Sequence, residues 1–178
     1  MATATANPRL QKAFALLERE VARGHADCGD LGIAIARDGT WTYRGSPIQR
    51  PGMVKLFASV LRRTKDGRYW LVTPGERGTV EVADVPFVVV RMQVEGSGTD
   101  QCIAWSTNLD ETVPLDAAHP LRLGRQPDGS MAPYVMVRDG LEARIGRNVF
   151  YDFVELAVEG EAGLGVWSAG MFFPLEPQ

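Results

Sequence analysis

The chain has 178 residues, 45% hydrophobic and 23% charged, enough apolar material for the core of one ordinary domain or two small ones. A net charge of −3 excludes the basic character expected of a non-specific nucleic-acid binder, so no nucleic-acid partner is expected. No apolar run reaches the ~20 residues of a membrane helix, and two cysteines and two histidines with no CxxC pair do not suggest a structural zinc site.

The first residues, MATATANPRLQKAF, lack the apolar centre of a secretory signal. The expectation is a cytoplasmic protein whose two thiols are reduced and mostly buried. Asn7 and Pro8 read as the N-cap and first residue of an amphipathic helix, with Leu10, Ala13, Phe14, Leu17 and Val21 at helical spacing. Gly24 stops it.

A β-hairpin follows. Leu31 to Ala36 and Thr40 to Tyr43 flank Asp38-Gly39, a pair that tolerates the positive φ of a tight turn. Pro47 and Pro51 bracket a rigid, extended connection. A helix is expected next, with Val54, Phe57, Val60 and Leu61 on one face and Lys55, Arg62 and Arg63 toward water. Lys65-Asp66-Gly67 turns the chain into Tyr69 to Val72, and Gly75 and Gly78 bracket a turn before Thr79 to Val82. Phe87 to Val94 is the longest β-rich run; Gly96-Ser97-Gly98 turns it, and Cys102 to Trp105 returns. Asn108 to Glu111 reads as a polar loop.

The opening pattern then recurs. RDGTWTYRG occupies residues 37–45 and RDGLEARIG residues 138–146. Tyr134 to Val137 and Leu141 to Ile145 form the second hairpin, and a helix carrying Phe150, Phe153, Val154 and Ala157 follows. Val166-Trp167 and Met171 to Phe173 read as closing strands. Hairpin, helix and strands thus occur twice, with Arg50 before the first helix and Arg147 before the second. The order of elements favours an internal duplication over an independent recurrence of common Asp-Gly turns. The fold class expected is α+β, with two related halves and an N-terminal helix: residues 1–28 as helix and linker, 29–84 as the first unit and 85–178 as the second.

No motif names a reaction. There is no G-x-S-x-G element, no P-loop and no dinucleotide-binding fingerprint, so no catalytic, metal or cofactor set is assigned. The arginines are more informative. Arg44, Arg50, Arg144 and Arg147 lie at hairpin ends and helix starts, where free backbone N–H groups favour anions and a guanidinium adds a bidentate fork. Their bland alternative is ordinary surface ion pairing. If the halves face each other, the arginines converge on one cleft. The ligand-binding residues expected are Arg50, Arg144 and Arg147 for a phosphate or carboxylate, Trp41 and Tyr43 as a wall, and Asn108, Asp110 and His119 on the rim. For each aromatic the alternative is core packing, and for His119 a turn cap.

The stretch from Gly32 to Phe87, the segment NLDETVPLDAAHPLRL and the segment PYVMVRDGLEARIGRNVFYDFVELA together resemble the bacterial family of unknown function DUF1285. The resemblance runs from about residue 29 to the C-terminus. It implies two structurally related halves, a C-terminal half similar to a pleckstrin-homology-like fold, a nucleotide-like ligand between the halves and a role in signalling. The resulting expectation is a binding protein for a small anionic ligand, more a sensor than an enzyme. A protein-interaction module using Phe87 to Val94 as an edge stays open as a rival. So does a hydrolase with His119 as base and Asp110 or Glu111 as its partner.

Overall fold

The computed structural model describes residues 24, 26–126 and 129–175. The expected N-terminal helix lies outside them. The chain divides into two compact units: one runs to Ala83 and takes in Asp139–Leu141, and the other holds Asp84–Arg138 and the residues from Glu142 onward. Among the described residues the structure is mixed α+β, and none of its helices is long and apolar enough to cross a membrane.

The first unit comprises β1 (Ala26–Ile35), β2 (Trp41–Tyr43), β3 (Ser46–Pro47), α1 (Pro51–Ser59), β4 (Leu61–Arg63), β5 (Tyr69–Val72) and β6 (Glu76–Val82). They form one six-stranded sheet in the order β3-β2-β1-β6-β5-β4. Only β1 and β6 run parallel; the other neighbours are antiparallel. The β1–β6 ladder is irregular, with register shifts after Asp27 and Asp30. There the carboxylates of Asp27 and Asp30 accept the amides of Gly29 and Gly32 at 2.9 and 2.8 Å, each bending the strand two residues on. The helix is shorter than its apolar spacing suggests. It ends at Ser59, and Leu61 to Arg63, expected on its last turn, instead pair with β5. Val54 and Ala58 face the sheet, and Phe57 stacks on Trp41 with ring centroids 6.4 Å apart. Gly78, read as a turn residue, lies within β6, where Leu31 packs so closely that no side chain fits.

The second unit comprises β7 (Phe87–Glu95), β8 (Cys102–Thr107), β9 (Thr112–Pro114), β10 (Leu121–Arg125), β11 (Met131–Arg138), β12 (Leu141–Ile145), α2 (Arg147–Val154), β13 (Val158–Gly160), β14 (Gly163–Ser168) and β15 (Met171–Pro174). One sheet has the order β10-β11-β12-β7-β8-β9, and a smaller one has the order β13-β14-β15. Strand β12 runs parallel to β7. Phe153 of α2 meets Trp105 of β8 edge-on at 5.0 Å, and both are fully buried. Such aromatic pairs add about 0.5–1.5 kcal/mol beyond the area they bury. Strands β9, β10 and β13 are additions to the elements read from the sequence. They are short or broken by glycine and proline, so alternation alone does not mark them.

The repeat is real in order and unequal in closure. Hairpin, helix and three-stranded meander occur as β1–β2, α1, β4–β6 and again as β11–β12, α2, β13–β15. In the first copy the last strand returns beside β1; in the second the meander forms its own sheet, and the hairpin joins β7 instead. Even the shared Arg-Asp-Gly turns differ. The first closes a three-residue loop in which Ala36 and Thr40 pair (Ala36 N–H to Thr40 O, 2.8 Å) and only Gly39 has positive φ, at 84°. The second is a two-residue loop with Asp139 and Gly140 both left-handed, at 43° and 80°.

The cysteines differ from expectation. Cys28 and Cys102 are free but exposed, not buried. Cys28 lies in the bulged, solvent-facing half of β1, and Cys102 starts β8 just after the β7–β8 turn.

Candidate functional site

The first unit holds an open cavity of about 460 Å³, lined by Asp27, Thr64, Lys65, Asp66, Arg68, Trp70 and Arg77. Ligand pockets for small molecules fall in the range of roughly 300–1,000 Å³. Strand alternation builds it. Arg68, just before β5, and Trp70 within it are two residues apart in extended chain and share a face. Trp70 pairs with Thr79 across the ladder, and Val72 with Arg77, so Arg77 lies diagonally from the indole on that same face. Asp27 of β1 stands opposite Arg77 on the other side of β6. The β4–β5 turn supplies Thr64, Lys65 and Asp66.

At the centre is Trp70, 7% exposed. The guanidinium carbon of Arg77 lies 5.1 Å from its ring centre and that of Arg68 lies 5.6 Å away. Each cation is also held by a carboxylate. Arg77 donates to Asp27 at 3.1 Å, and Arg68 Nε donates to Asp66 at 2.5 Å. The Thr64 hydroxyl donates to Asp66 as well. This hydroxyl, helped by Arg68, lowers the Asp66 carboxyl to about 2. The Gly29 amide, then Arg77, holds Asp27 below its usual value. Three cations thus face two carboxylates around an indole. Both ion pairs are open to water, with side-chain exposures of 66% and 48% for Arg68–Asp66 and 24% and 45% for Arg77–Asp27. Exposed pairs contribute only about 0–1 kcal/mol. A ligand phosphate or carboxylate can therefore replace either aspartate at small cost. The outward face of the Arg68 guanidinium offers a plane for an aromatic ring.

The second unit holds a charged cluster of opposite character. Tyr134 donates its hydroxyl to Asp84 at 3.0 Å, and Arg144 Nε lies 3.5 Å from the same carboxylate. Arg122 grips Glu142 with two bonds, 2.5 and 2.7 Å long, while its guanidinium lies 4.2 Å above the Tyr134 ring. The hydrogen bonds to Glu142 raise Arg122 above its ordinary value. Burial, then the bond to Asp84, pushes Tyr134 up to about 12. The Asp84 and Glu142 side chains are each 10% exposed. A carboxylate fills the Arg122 fork and another lies beside Arg144, so an incoming anion would have to displace a shielded one.

The residues expected from sequence are dispersed. In the first unit Trp41 is 2% exposed and belongs to the core, Tyr43 is 47% exposed beneath Arg44, and Arg50 is the exposed N-cap of α1. Only the backbone of Arg50 caps: its carbonyl accepts the Met53 amide at 3.0 Å. In the second unit Arg147 is the exposed first residue of α2, while Arg144 joins Asp84. Asn108 bonds Val88 twice, donating its amide at 2.8 Å and accepting the Val88 amide at 3.0 Å, beside the irregularity in β7. Asp110 takes a left-handed conformation in the β8–β9 turn. His119 Nδ1 lies 2.9 Å from Asp116, not from Asp110 or Glu111, and Glu111 pairs with Arg138. Burial pushes Asp116 up, but its bonds from the His119 ring and the Ala118 and His119 amides prevail and lower it. Among the described residues no three His, Cys, Asp or Glu side chains group to hold a metal ion.

The cavity residues Asp27, Lys65, Arg68, Trp70 and Arg77 were not legible as a set. The signal for part of it was Arg-x-Trp, which puts a cation and an indole on one face of a strand. The partner Arg77 is placed only by the ladder.

Comparison with known proteins places both units in one family. Residues 24–85 match the domain described as "Domain of unknown function (DUF1285), N-terminal domain", and residues 86–175 match "Protein of unknown function (DUF1285), C-terminal domain". A crystal structure of a DUF1285 family protein from Silicibacter pomeroyi DSS-3 is 43% identical with a TM-score of 0.80, covering 86% of this chain and 84% of that one. Another, from Shewanella baltica OS155, is 28% identical with a TM-score of 0.55, covering 70% of this chain and 91% of that one. No curated protein matches.

Proposed function

The chain belongs to the DUF1285 family, whose function is unknown, and on that premise we propose that it is a cytoplasmic binding protein for a small anionic, nucleotide-like ligand. A sensor role in signalling fits this reading better than turnover, and the pleckstrin-homology-like relation of the C-terminal half is part of it. The observation that carries the proposal is the cavity around Trp70, where Arg68 and Arg77 lie on one indole beside Lys65, and the counter-charges are exposed. A phosphate would take the place of Asp66 or Asp27, and a planar base would stack on Arg68.

Thermal unfolding against nucleotides and related phosphates tests it. A ligand at 100 times its Kd adds about 2.7 kcal/mol, a rise of roughly 5–11 °C at the ~2–4 °C per kcal/mol of a chain this size. Arg68→Ala and Arg77→Ala should each weaken binding by roughly 1.5–3 kcal/mol, the worth of a hydrogen bond to a charged group. Loss of binding in Arg50→Ala, Arg144→Ala or Arg147→Ala instead would move the ligand to the arginines singled out by the repeat. No shift across the panel would refute the small-molecule reading.

One observation favours a second reading, a hydrolase. The Asp116 contact fixes the ring of His119, as a general base requires. Turnover of a confirmed ligand that disappears in His119→Ala would establish it, and unchanged ligand after long incubation would dismiss it.

A further inference from the structure

Beyond Val89 one side of β7 has no strand beside it. Strand β12 pairs with β7 only from Phe87 to Val89, whereas β8 runs along it as far as Glu95. Among the described residues no other strand joins β7. The first part of the run expected to offer an edge is therefore enclosed, and the open edge begins at Val90.

The ladder shows which groups face outward. Ile103 of β8 donates its amide to Ser168 Oγ at 3.0 Å, and its carbonyl accepts the Leu115 amide at 2.8 Å, just past β9. It thus turns its backbone away from β7. Pairs in an antiparallel ladder alternate between those that exchange hydrogen bonds and those that do not. Val94 stands opposite Ile103, and Met92 opposite Trp105. Both therefore aim N–H and C=O at the open edge. Their side chains share one face of the strand, and those of Arg91, Gln93 and Glu95 share the other. Val94 is 39% exposed, and Arg91, Gln93 and Glu95 are exposed as well. Across the ladder Arg91 and Glu95 meet Ser106 and Cys102, which supply no ion-pair partner.

The segment is its own complement. Laid antiparallel on a second copy, with Gln93 opposite Gln93, it sets Arg91 of each copy against Glu95 of the other. On the opposite face Met92 meets Val94. The same register joins the outward amides and carbonyls of Met92 and Val94 in hydrogen-bonded pairs. A slip of one residue sets outward groups against inward ones, and a slip of two parts Arg91 from Glu95. We propose that β7 is the seam of a symmetric dimer, in which a second copy of this chain pairs antiparallel about Gln93 and the two sheets become continuous. Opposite charges directly across a ladder attract, and like charges there repel. The seam is short, so the dimer forms reversibly with concentration.

Sedimentation velocity of the full chain, from micromolar to near-millimolar concentration, is expected to show monomer passing into dimer. Arg91→Glu sets like charges against each other at both ends of the seam and should weaken the dimer by about tenfold or more. Glu95→Arg should do the same, and the two substitutions together should restore it. Oxidation reads the register separately. In a Cys28→Ser, Cys102→Ser background, Gln93→Cys should form a disulfide-linked dimer, because position 93 faces its own copy in a pair without backbone bonds, where Cα atoms lie about 4.5 Å apart. Met92→Cys, which faces Val94, should not. An unaltered thermal transition shows that each variant is folded. A monomer at every concentration would reduce Arg91 and Glu95 to guards of a bare edge and overturn the proposal. A dimer indifferent to charge reversal, no rescue in the double reversal, or linkage through position 92 in place of 93 would each overturn it as well.

Discussion

Replacing Tyr134 by phenylalanine tests the reading of the second unit as a closed, structural cluster. The substitution removes one oxygen. It leaves the ring under Arg122, whose contact needs only the π face. It deletes the donor 3.0 Å from Asp84, a carboxylate whose side chain is 10% exposed and whose other partner, Arg144 Nε, is at 3.5 Å. A hydrogen bond to a charged group is worth about 1.5–3 kcal/mol, and the carboxylate left short of a donor cannot recover it fully from water. At roughly 2–4 °C per kcal/mol the melting temperature should fall by about 3–12 °C. The pH dependence has a definite sign. The phenol is raised to about 12 from 10.0 because the fold favours its neutral form. Its contribution is therefore complete below about pH 10 and lost as pH rises toward about 12. The difference between wild type and variant should stay level from neutral pH to about 9 and shrink above 10. Paired calorimetric or circular-dichroism melts across that range measure it. A Tyr134→Phe protein melting within about 1 °C of wild type would refute the claim that this bond holds the cluster. A difference that does not shrink at high pH would show that the hydroxyl acts other than through its proton.

Three further outcomes are expected. Gly165→Ala puts a methyl 2.5 Å from the Phe172 ring and 2.7 Å from the Phe173 carbonyl, which sits in the β14–β15 ladder and cannot retreat. Overpacking of this kind costs about 1–3 kcal/mol, and an unchanged melting temperature would show that the ring does not lie on the glycine. Asp66, held near 2, should titrate well below 3.8 by carboxyl-carbon NMR and move back up in Arg68→Gln. Because its folded value is depressed, its stabilisation is present above the ordinary carboxylate value and lost as pH falls toward about 2; a wild-type midpoint at the ordinary value would refute the turn geometry. Asn108→Ala removes the acceptor of the Val88 amide and should cost about 1–3 kcal/mol of stability. It should leave ligand binding in the first unit unchanged, whereas loss of binding with intact stability would return Asn108 to a ligand rim.

The parts of this molecule that were legible in the sequence are those governed by neighbours along the chain. Asp38-Gly39 and Asp139-Gly140 announced hairpins because φ is a local property, and the helices after them followed from apolar spacing. The same tripeptide still made two different turns, because the flanking strands set the loop length: β2 resumes at Trp41, four residues after Arg37, but β12 resumes at Leu141, three after Arg138. The last helix turn expected at Leu61 became a strand for a related reason. Leu61 is fully buried either way, so its apolarity could not tell a helix face from a ladder position opposite Leu71. The binding residues were less legible still. A search along the chain finds arginines next to helix starts; it cannot find Arg77, which reaches Trp70 through a ladder, or Asp27, which comes fifty residues earlier. Nor does it separate an open arginine from a closed one. Arg68 and Arg144 are the same residue type, and each lies beside a carboxylate. Exposure of the pair decides the difference: Asp66 is 48% exposed and exchangeable, whereas Asp84 is 10% exposed and also bonded to Tyr134. Charge count therefore points to where an anion is attracted, and burial of the counter-charge decides where it can bind, which is why the cavity of the first unit is the stronger candidate site.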